Sequence, residues 1–160
     1  MKKFDMKRAS PLKFLALLAA AITLAGCASS PEIPRMTLNI ETASNLNPDL
    51  HGRASPVVLY IYSLKTSSIF KNARFIELYS NKEDVLGMDL LGFEEIEISP
   101  GELINLAQRD LPEGTRHIGV VVAFRDIDNA TWRGLIDIEP KEKFDFNIHI
   151  ENLNVTVGVN

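Results

Sequence analysis

The chain of 160 residues has one cysteine, one tryptophan and three histidines. A lone thiol excludes an intrachain disulfide, which is unusual for a protein sent to an oxidising compartment. His51, His117 and His149 form no HExxH arrangement, and none has a second His or Cys at ligand spacing, so no metal centre is expected. There is no GxSxG elbow, P-loop or dinucleotide-binding glycine pattern. Asp126-Ile-Asp128-Asn129 starts like a calcium loop. Thr131 then stands where the sharp-turn glycine belongs and Asp137 where the bidentate Glu belongs, so a turn between strands is the better reading. Carboxylates such as Glu94-Glu95 sit on strand faces without an acid/base partner. No enzyme, cofactor or metal is therefore expected. Nor is there an apolar run long enough to span a bilayer.

What is present at the N-terminus accounts for the lone thiol. Lys2, Lys3, Lys7, Arg8 and Lys13 stand against the single acid Asp5. An apolar run from Phe14 to Ala25, broken by Thr23, has the length of a signal-peptide core. It ends in Leu24-Ala25-Gly26-Cys27, a lipobox, in which small residues fit a narrow peptidase cleft and the thiol takes a diacylglyceryl group. Residues 1–26 are thus expected to be a lipoprotein signal peptide and Cys27 the lipid attachment site. One acyl chain contributes roughly 0.8 kcal/mol per buried methylene and holds a protein marginally; two or three anchor it permanently. Ala28, rather than Asp, follows the cysteine and favours the outer membrane over inner-membrane retention.

Removing the first 26 of 160 residues leaves 134, enough for one domain. The signal takes five of the 17 basic residues and one of the 21 acidic ones, so the net charge falls from −4 to −8. An acidic surface does not suit nucleic acid. Residues 27–35, with two prolines and two serines, read as the lipidated cysteine and a tether, and 36–160 as the folded domain.

The domain's dominant period is two, which means strands. Met36, Leu38 and Ile40 alternate with polar residues. Val57–Leu64 is apolar on both faces, as in a central strand. Ile96 and Ile98 alternate with Glu95 and Glu97 before the turn Ser99-Pro100-Gly101. A weaker strand follows over 102–107, a valine-rich one over His117–Phe124, and another through Trp132, Gly134, Ile136 and Ile138. Phe144, Phe146, Ile148 and Ile150 alternate cleanly, and Val155, Val157 and Val159 close the chain. About eight short strands predict a two-sheet β-sandwich with one wet and one packed face per sheet. Between the second and third strands, residues 67–87 predict a helical insertion: Ile69, Ala73 and Ile76, then Phe75, Leu78 and Tyr79, fall at helical spacing. Ser67 or Ser68 is expected to cap it, Ser80 with Glu83 to open a second helix as a capping box, and Gly87 to end that helix. The aromatic residues there are expected to be core.

The connection from Ser44 to Pro56 is too long for a simple hairpin turn, and such loops are usually functional or disordered. Asn47-Pro48-Asp49 is turn chemistry and Gly52 permits a positive φ. Leu46 and Leu50 offer apolar contact and Arg53 a bidentate donor. Two readings stand side by side: a recognition loop on a rigid scaffold, or a self-packed surface loop in which Arg53 pairs with a nearby acid.

The run Asn47–Leu64 (NPDLHGRASPVVLYIYSL), the segments Phe75–Tyr79 (FIELY), Leu86–Leu91 (LGMDLL) and Ser99–Glu102 (SPGE), and above all Gly119–Arg133 (GVVVAFRDIDNATWR), resemble the type VI secretion lipoprotein family TssJ, also called VasD or SciN. The motifs occur in the family's order behind a lipobox. Val122 is a minor departure, standing where a smaller residue is common. The resemblance implies a transthyretin-like β-sandwich with a helical addition, outer-membrane anchoring on the periplasmic side, and a non-catalytic role in the secretion membrane complex. It implies binding to the periplasmic C-terminal region of TssM, and to TssL indirectly through TssM, with the domain monomeric in isolation. The family's TssM contact region is the loop between the first two strands, which assigns Asn45, Leu46, Asn47, Asp49, Leu50, His51 and Arg53 here. Arg125, Asp126, Asp128 and Arg133 cluster near Trp132; an Arg–Asp pair across the turn, with Trp132 filling the core, is the physical expectation. A periplasmic lipoprotein module binding a ligand or peptide is the alternative; it would need a deep pocket or an exposed pairing edge.

Overall fold

The structure is a computed structural model that describes residues 33–139 and 143–160. The expected signal peptide, Cys27 and the tether up to residue 32 lie outside the described residues. Eight strands form two four-stranded sheets: β1 (Arg35–Thr42), β2 (Val57–Leu64), β3 (Leu90–Ile98), β4 (Leu103–Asp110), β5 (His117–Val122), β6 (Arg133–Asp137), β7 (Lys143–Glu151) and β8 (Asn154–Val159). The first sheet runs β4-β1-β7-β8 and the second β3-β2-β5-β6. Every named pairing is antiparallel except β1 with β7.

Alternation builds the space between the sheets. Met36, Leu38 and Ile40 of β1 meet Phe144, Phe146, Ile148 and Ile150 of β7 from one side. Leu59, Ile61, Ile118, Val120 and Val122 close from the other. At about 25 cal/mol per Å2 of apolar surface removed from water, each such side chain stabilises the fold by roughly 1.5–3 kcal/mol.

One face of each sheet was expected to be wet, and the first sheet conforms. The second departs, because its outer face carries a second apolar cluster beneath the helical insertion, including Tyr60, Tyr62, Leu64, Val121, Phe70, Leu78 and Leu86. This explains why β2 is apolar on both faces. It also explains why β3 starts at Leu90, well before the alternating Glu95–Ile98: residues 90–94 are all half-buried and show no period.

The insertion is three short helices, α1 (Ser68–Asn72), α2 (Phe75–Ser80) and α3 (Lys82–Leu86), then a 3-10 turn over Gly87–Asp89. Helices this short are not stable by propensity alone and must be held by packing. Phe70 is fully buried with the tip of its ring against Gly119 of β5: a Cβ at that glycine would sit 2.5 Å from the ring. The Tyr62 hydroxyl donates to the Leu78 carbonyl at 3.0 Å, and burial pushes that phenol's pKa up. Arg133 donates through one nitrogen to the carbonyls of Phe70 (2.8 Å) and Ala73 (3.0 Å), which satisfies the end of α1. Desolvation lowers the Arg133 pKa, and its guanidinium lies 4.8 Å from the Trp132 ring.

Several local expectations are corrected. The capping box is Arg74 with Glu77, opening α2, rather than Ser80 with Glu83; α3 starts after Asn81 with no side-chain cap. Ser67 precedes α1 but makes no capping bond. Gly87 does end α3, at φ 51°. Ile69 and Ile76 point outward and Tyr79 is 45% exposed; the buried positions are Phe70, Ala73, Leu78 and Leu86, because the face is chosen by the aromatic bed of the sheet. Arg133 binds carbonyls instead of an aspartate, and Trp132 is half-buried between the two clusters.

The two open sides of the sandwich differ. On the β3/β4 side, Arg109 reaches across to Glu94 at 2.8 Å. These inward charges, with a register shift in the β1–β4 ladder, guard those edges against strand addition. The β6/β8 side has no such pair; Val157 instead seats over Gly134.

Gly119→Ala is expected to destabilise the domain by about 1–3 kcal/mol, because Phe70 must leave its bed. Gly158→Ala, with open space around the new methyl group, should stay within about 0.5 kcal/mol. Denaturant melts of both variants check this; equal behaviour would remove the Phe70–Gly119 lock.

Candidate functional site

The loop between β1 and β2 is built from the inside out. Leu46 is fully buried and Asn47 is 2% exposed. Asn47 adopts φ 46°, a conformation that asparagine tolerates better than most residues. Its amide nitrogen donates to the Pro56 carbonyl at 3.0 Å, and its amide oxygen accepts from the Arg125 backbone N–H at 2.9 Å. Its own backbone N–H donates to the Asn152 carbonyl at 2.8 Å. Asn47 thus ties three connections together: its own loop, the β5–β6 connection and the β7–β8 turn.

Beyond Asn47 the loop is stapled by Asp49. One carboxylate oxygen accepts the backbone N–H groups of His51 (2.8 Å) and Arg53 (3.0 Å); the other accepts Arg53 Nε at 2.8 Å, with Arg53 Nη2 at 2.7 Å. These donors, the Arg53 backbone first, hold the Asp49 pKa below its ordinary value. The chain returns through Gly52 at φ 75°, and Asp49 N–H closes on the Arg53 carbonyl at 2.8 Å. The self-packed reading of the loop is therefore correct as to Arg53. It does not exclude recognition, because the same packing holds Leu50 at the tip, 102% exposed, with His51 and Arg53 exposed beside it.

The residues assigned to the partner contact divide accordingly. Leu50, His51, Arg53 and Asn45 face solvent, and Asp49 is partly covered. Leu46 and Asn47 are inside, so their part is to hold the loop's shape, a correction forced by their burial. Asn45 uses its side-chain oxygen to accept the Asn152 N–H at 3.3 Å. Against the loop lies an open depression of about 710 Å3 lined by Pro48, Asp49, Leu50, His51, Arg125, Asp126 and Leu153. Arg125 is exposed there and makes no ion pair among the described residues, while Asp126 is engaged by Asn129 at 2.9 Å. No pattern in the residues places Arg125 and Leu153 at this end of the molecule.

The histidines are dispersed. His117 bonds Asp137 at 2.7 Å, and His149 lies on the wet face of the first sheet, 3.8 Å from Glu41. Among the described residues no group of three His, Cys, Asp or Glu is placed to hold a metal ion. No helix among them is long and apolar enough to cross a membrane.

With this geometry in view, the similarities become informative. The model of the family described as type VI secretion lipoprotein, VasD, EvfM, TssJ matches residues 34–153. The chain is 33% identical to the type VI lipoprotein TssJ1 of Pseudomonas aeruginosa, whose crystal structure superposes with a TM-score of 0.76 over 80% of this chain and 97% of that one. Lip of Serratia marcescens, a membrane-bound component of that secretion system, is 20% identical with a TM-score of 0.72, covering 78% and 96%. A chain of a type VI membrane complex is 23% identical with a TM-score of 0.69, covering 79% and 98%. No curated protein sequence matches.

Asn47→Ala should cost about 2–4 kcal/mol, because it leaves the Arg125 N–H and Pro56 carbonyl unpaired and strains the backbone. Leu50→Ser should stay within about 0.5 kcal/mol; thermal melts compare the two. Because Asp49 titrates low, its staple persists above the ordinary carboxylate value of 3.8 and is lost only as pH falls through the depressed value. Carboxyl NMR titration should therefore place the Asp49 midpoint below 3.8, and a normal midpoint would dissolve the staple.

Proposed function

The chain belongs to the type VI secretion lipoprotein family, and from that membership we propose that it is the outer-membrane anchor of the secretion membrane complex, holding the periplasmic C-terminal region of TssM. Cys27 carries the lipid, the domain faces the periplasm, and TssL is reached indirectly through TssM. The role is non-catalytic, monomeric in isolation, and needs no cofactor beyond the covalent lipid.

The observation that carries this reading is the opposition of tether and loop along β1. The tether enters β1 at Arg35 and the loop leaves it after Thr42. Eight residues of strand separate the two ends by about 25 Å. Cys27 and Arg35 are eight positions apart, so the tether spans at most roughly 26–29 Å. The loop and the point where the tether joins the domain thus lie at opposite ends of β1. The loop is also pre-organised: Asn47 and Asp49 fix its shape before binding, so little ordering cost is left for the encounter. Leu50 supplies an apolar anchor, and His51, Arg53 and Arg125 a polar rim. Confinement at a membrane raises the local concentration, so a modest intrinsic affinity suffices.

Two measurements test the proposal. Titration with the periplasmic C-terminal region of TssM should saturate, and Leu50→Asp should weaken it by at least roughly tenfold, about 1.4 kcal/mol, without lowering the melting temperature. Undiminished binding by that variant would place the contact elsewhere. Cys27→Ser should release the protein from the membrane fraction and abolish secretion together; secretion at native expression from the released form would contradict the anchoring role.

A further inference from the structure

Four strands lie at sheet edges, and they are not equally protected. β3 and β4 carry the inward Glu94–Arg109 pair, and β6 has only five residues. β8, Asn-Val-Thr-Val-Gly-Val, has no charge, no proline and no shift in its register with β7. Natural sheets rarely leave an edge so unguarded unless something pairs with it.

The pairing pattern fixes which groups are free. Asp145 and Asn160 exchange both backbone bonds, at 3.3 and 3.1 Å. By antiparallel alternation Gly158 and Thr156 also bond β7, and Val155, Val157 and Val159 turn their N–H and C=O groups outward. The first outward N–H is already used. Val155 donates to the Thr131 carbonyl at 3.0 Å, and Thr131 donates to the Leu153 carbonyl at 2.9 Å, a parallel bridge onto the outer side of β8. Thr131 thus occupies the position of the first residue of an added strand, after which its chain leaves for the other sheet. Beyond that bridge no strand among the described residues pairs with the outer side of β8, which leaves the Val155 carbonyl and both groups of Val157 and Val159 outside any ladder. Beside them runs an apolar rim of half-buried Trp132, Ile136 and Val157, with Val159 47% exposed.

We infer that β8 is a strand-addition site, and that its occupant is an extended, uncharged segment of the same periplasmic partner that docks on the β1–β2 loop. Continuity identifies the occupant. β8 starts one residue after Leu153, which lines the depression beside Leu50 and Arg125. A partner seated there has its chain at the head of the free edge, and main-chain bonds to Val157 and Val159 would extend the first sheet to a fifth strand. In this mode backbone bonds supply affinity and alternate side chains supply specificity. This inference rests on the docking role proposed above.

The test is amide hydrogen exchange of the full lipoprotein in detergent, alone and with the periplasmic C-terminal region of TssM. The inference expects the Val157 and Val159 amides to exchange freely alone and to be protected in the complex. Val159→Pro removes one outward donor and no bond to β7, and should weaken binding roughly two- to tenfold, while Val159→Ala should not. Complex formation with protection at the loop but none at Val157 and Val159 overturns strand addition and leaves the docking role standing. Absence of any complex overturns both. Protection that grows with the lipoprotein's own concentration, without TssM, would assign the edge to a second copy and overturn the heterologous partner.

Discussion

The buried side chain of Asn47 is the interaction on which the shape of the loop end of the sandwich depends. Its left-handed backbone turns the chain just after β1, its amide bonds Pro56 and Arg125, and its N–H reaches Asn152. Together with the Asn45–Asn152 and Thr131–Leu153 bonds, Asn47 limits the conformations that the three connections would otherwise sample at an entropic cost on binding. So joined, they present Leu50, Arg125 and Leu153 as one surface.

A division of labour between the two faces of the second sheet supports that surface. The inner face builds the sandwich core; the outer face takes the helical insertion through Phe70 on Gly119, Tyr62 to Leu78 and Arg133 to two helix-end carbonyls. The insertion thereby protects apolar positions of β2 and β5 that would otherwise face water. The first sheet keeps a polar outer face.

Much of this was legible because the strands alternate or are uniformly apolar for simple reasons. The bounds of β2 were readable to the residue, and the insertion showed through its change of period. What escaped the sequence depends on partners far along the chain. Phe70 is core only because Gly119, 49 positions later, leaves room for its ring. Ile69 and Ile76 look equally apolar and point outward. Asn47 reads as local turn chemistry, yet its bonds run to Arg125 and Asn152. Glu94 reads as a strand-face carboxylate without a partner, while a register shift in the β1–β4 ladder turns Arg109 inward to meet it. Arg133 looked like an ion-pair partner for a neighbouring aspartate, and a helix-end carbonyl pair out-competes that aspartate in the fold.

The central claim is that the partner docks on the end of the sandwich that carries the β1–β2 loop. A photo-crosslinking residue placed at position 50 and, separately, at position 103 on the wet face of the first sheet tests this most directly in cells with the secretion system intact. Both positions are highly exposed, so accessibility does not distinguish them. The account predicts a crosslink to TssM from position 50 and none from position 103. Capture from position 103 with silence at position 50 would contradict it.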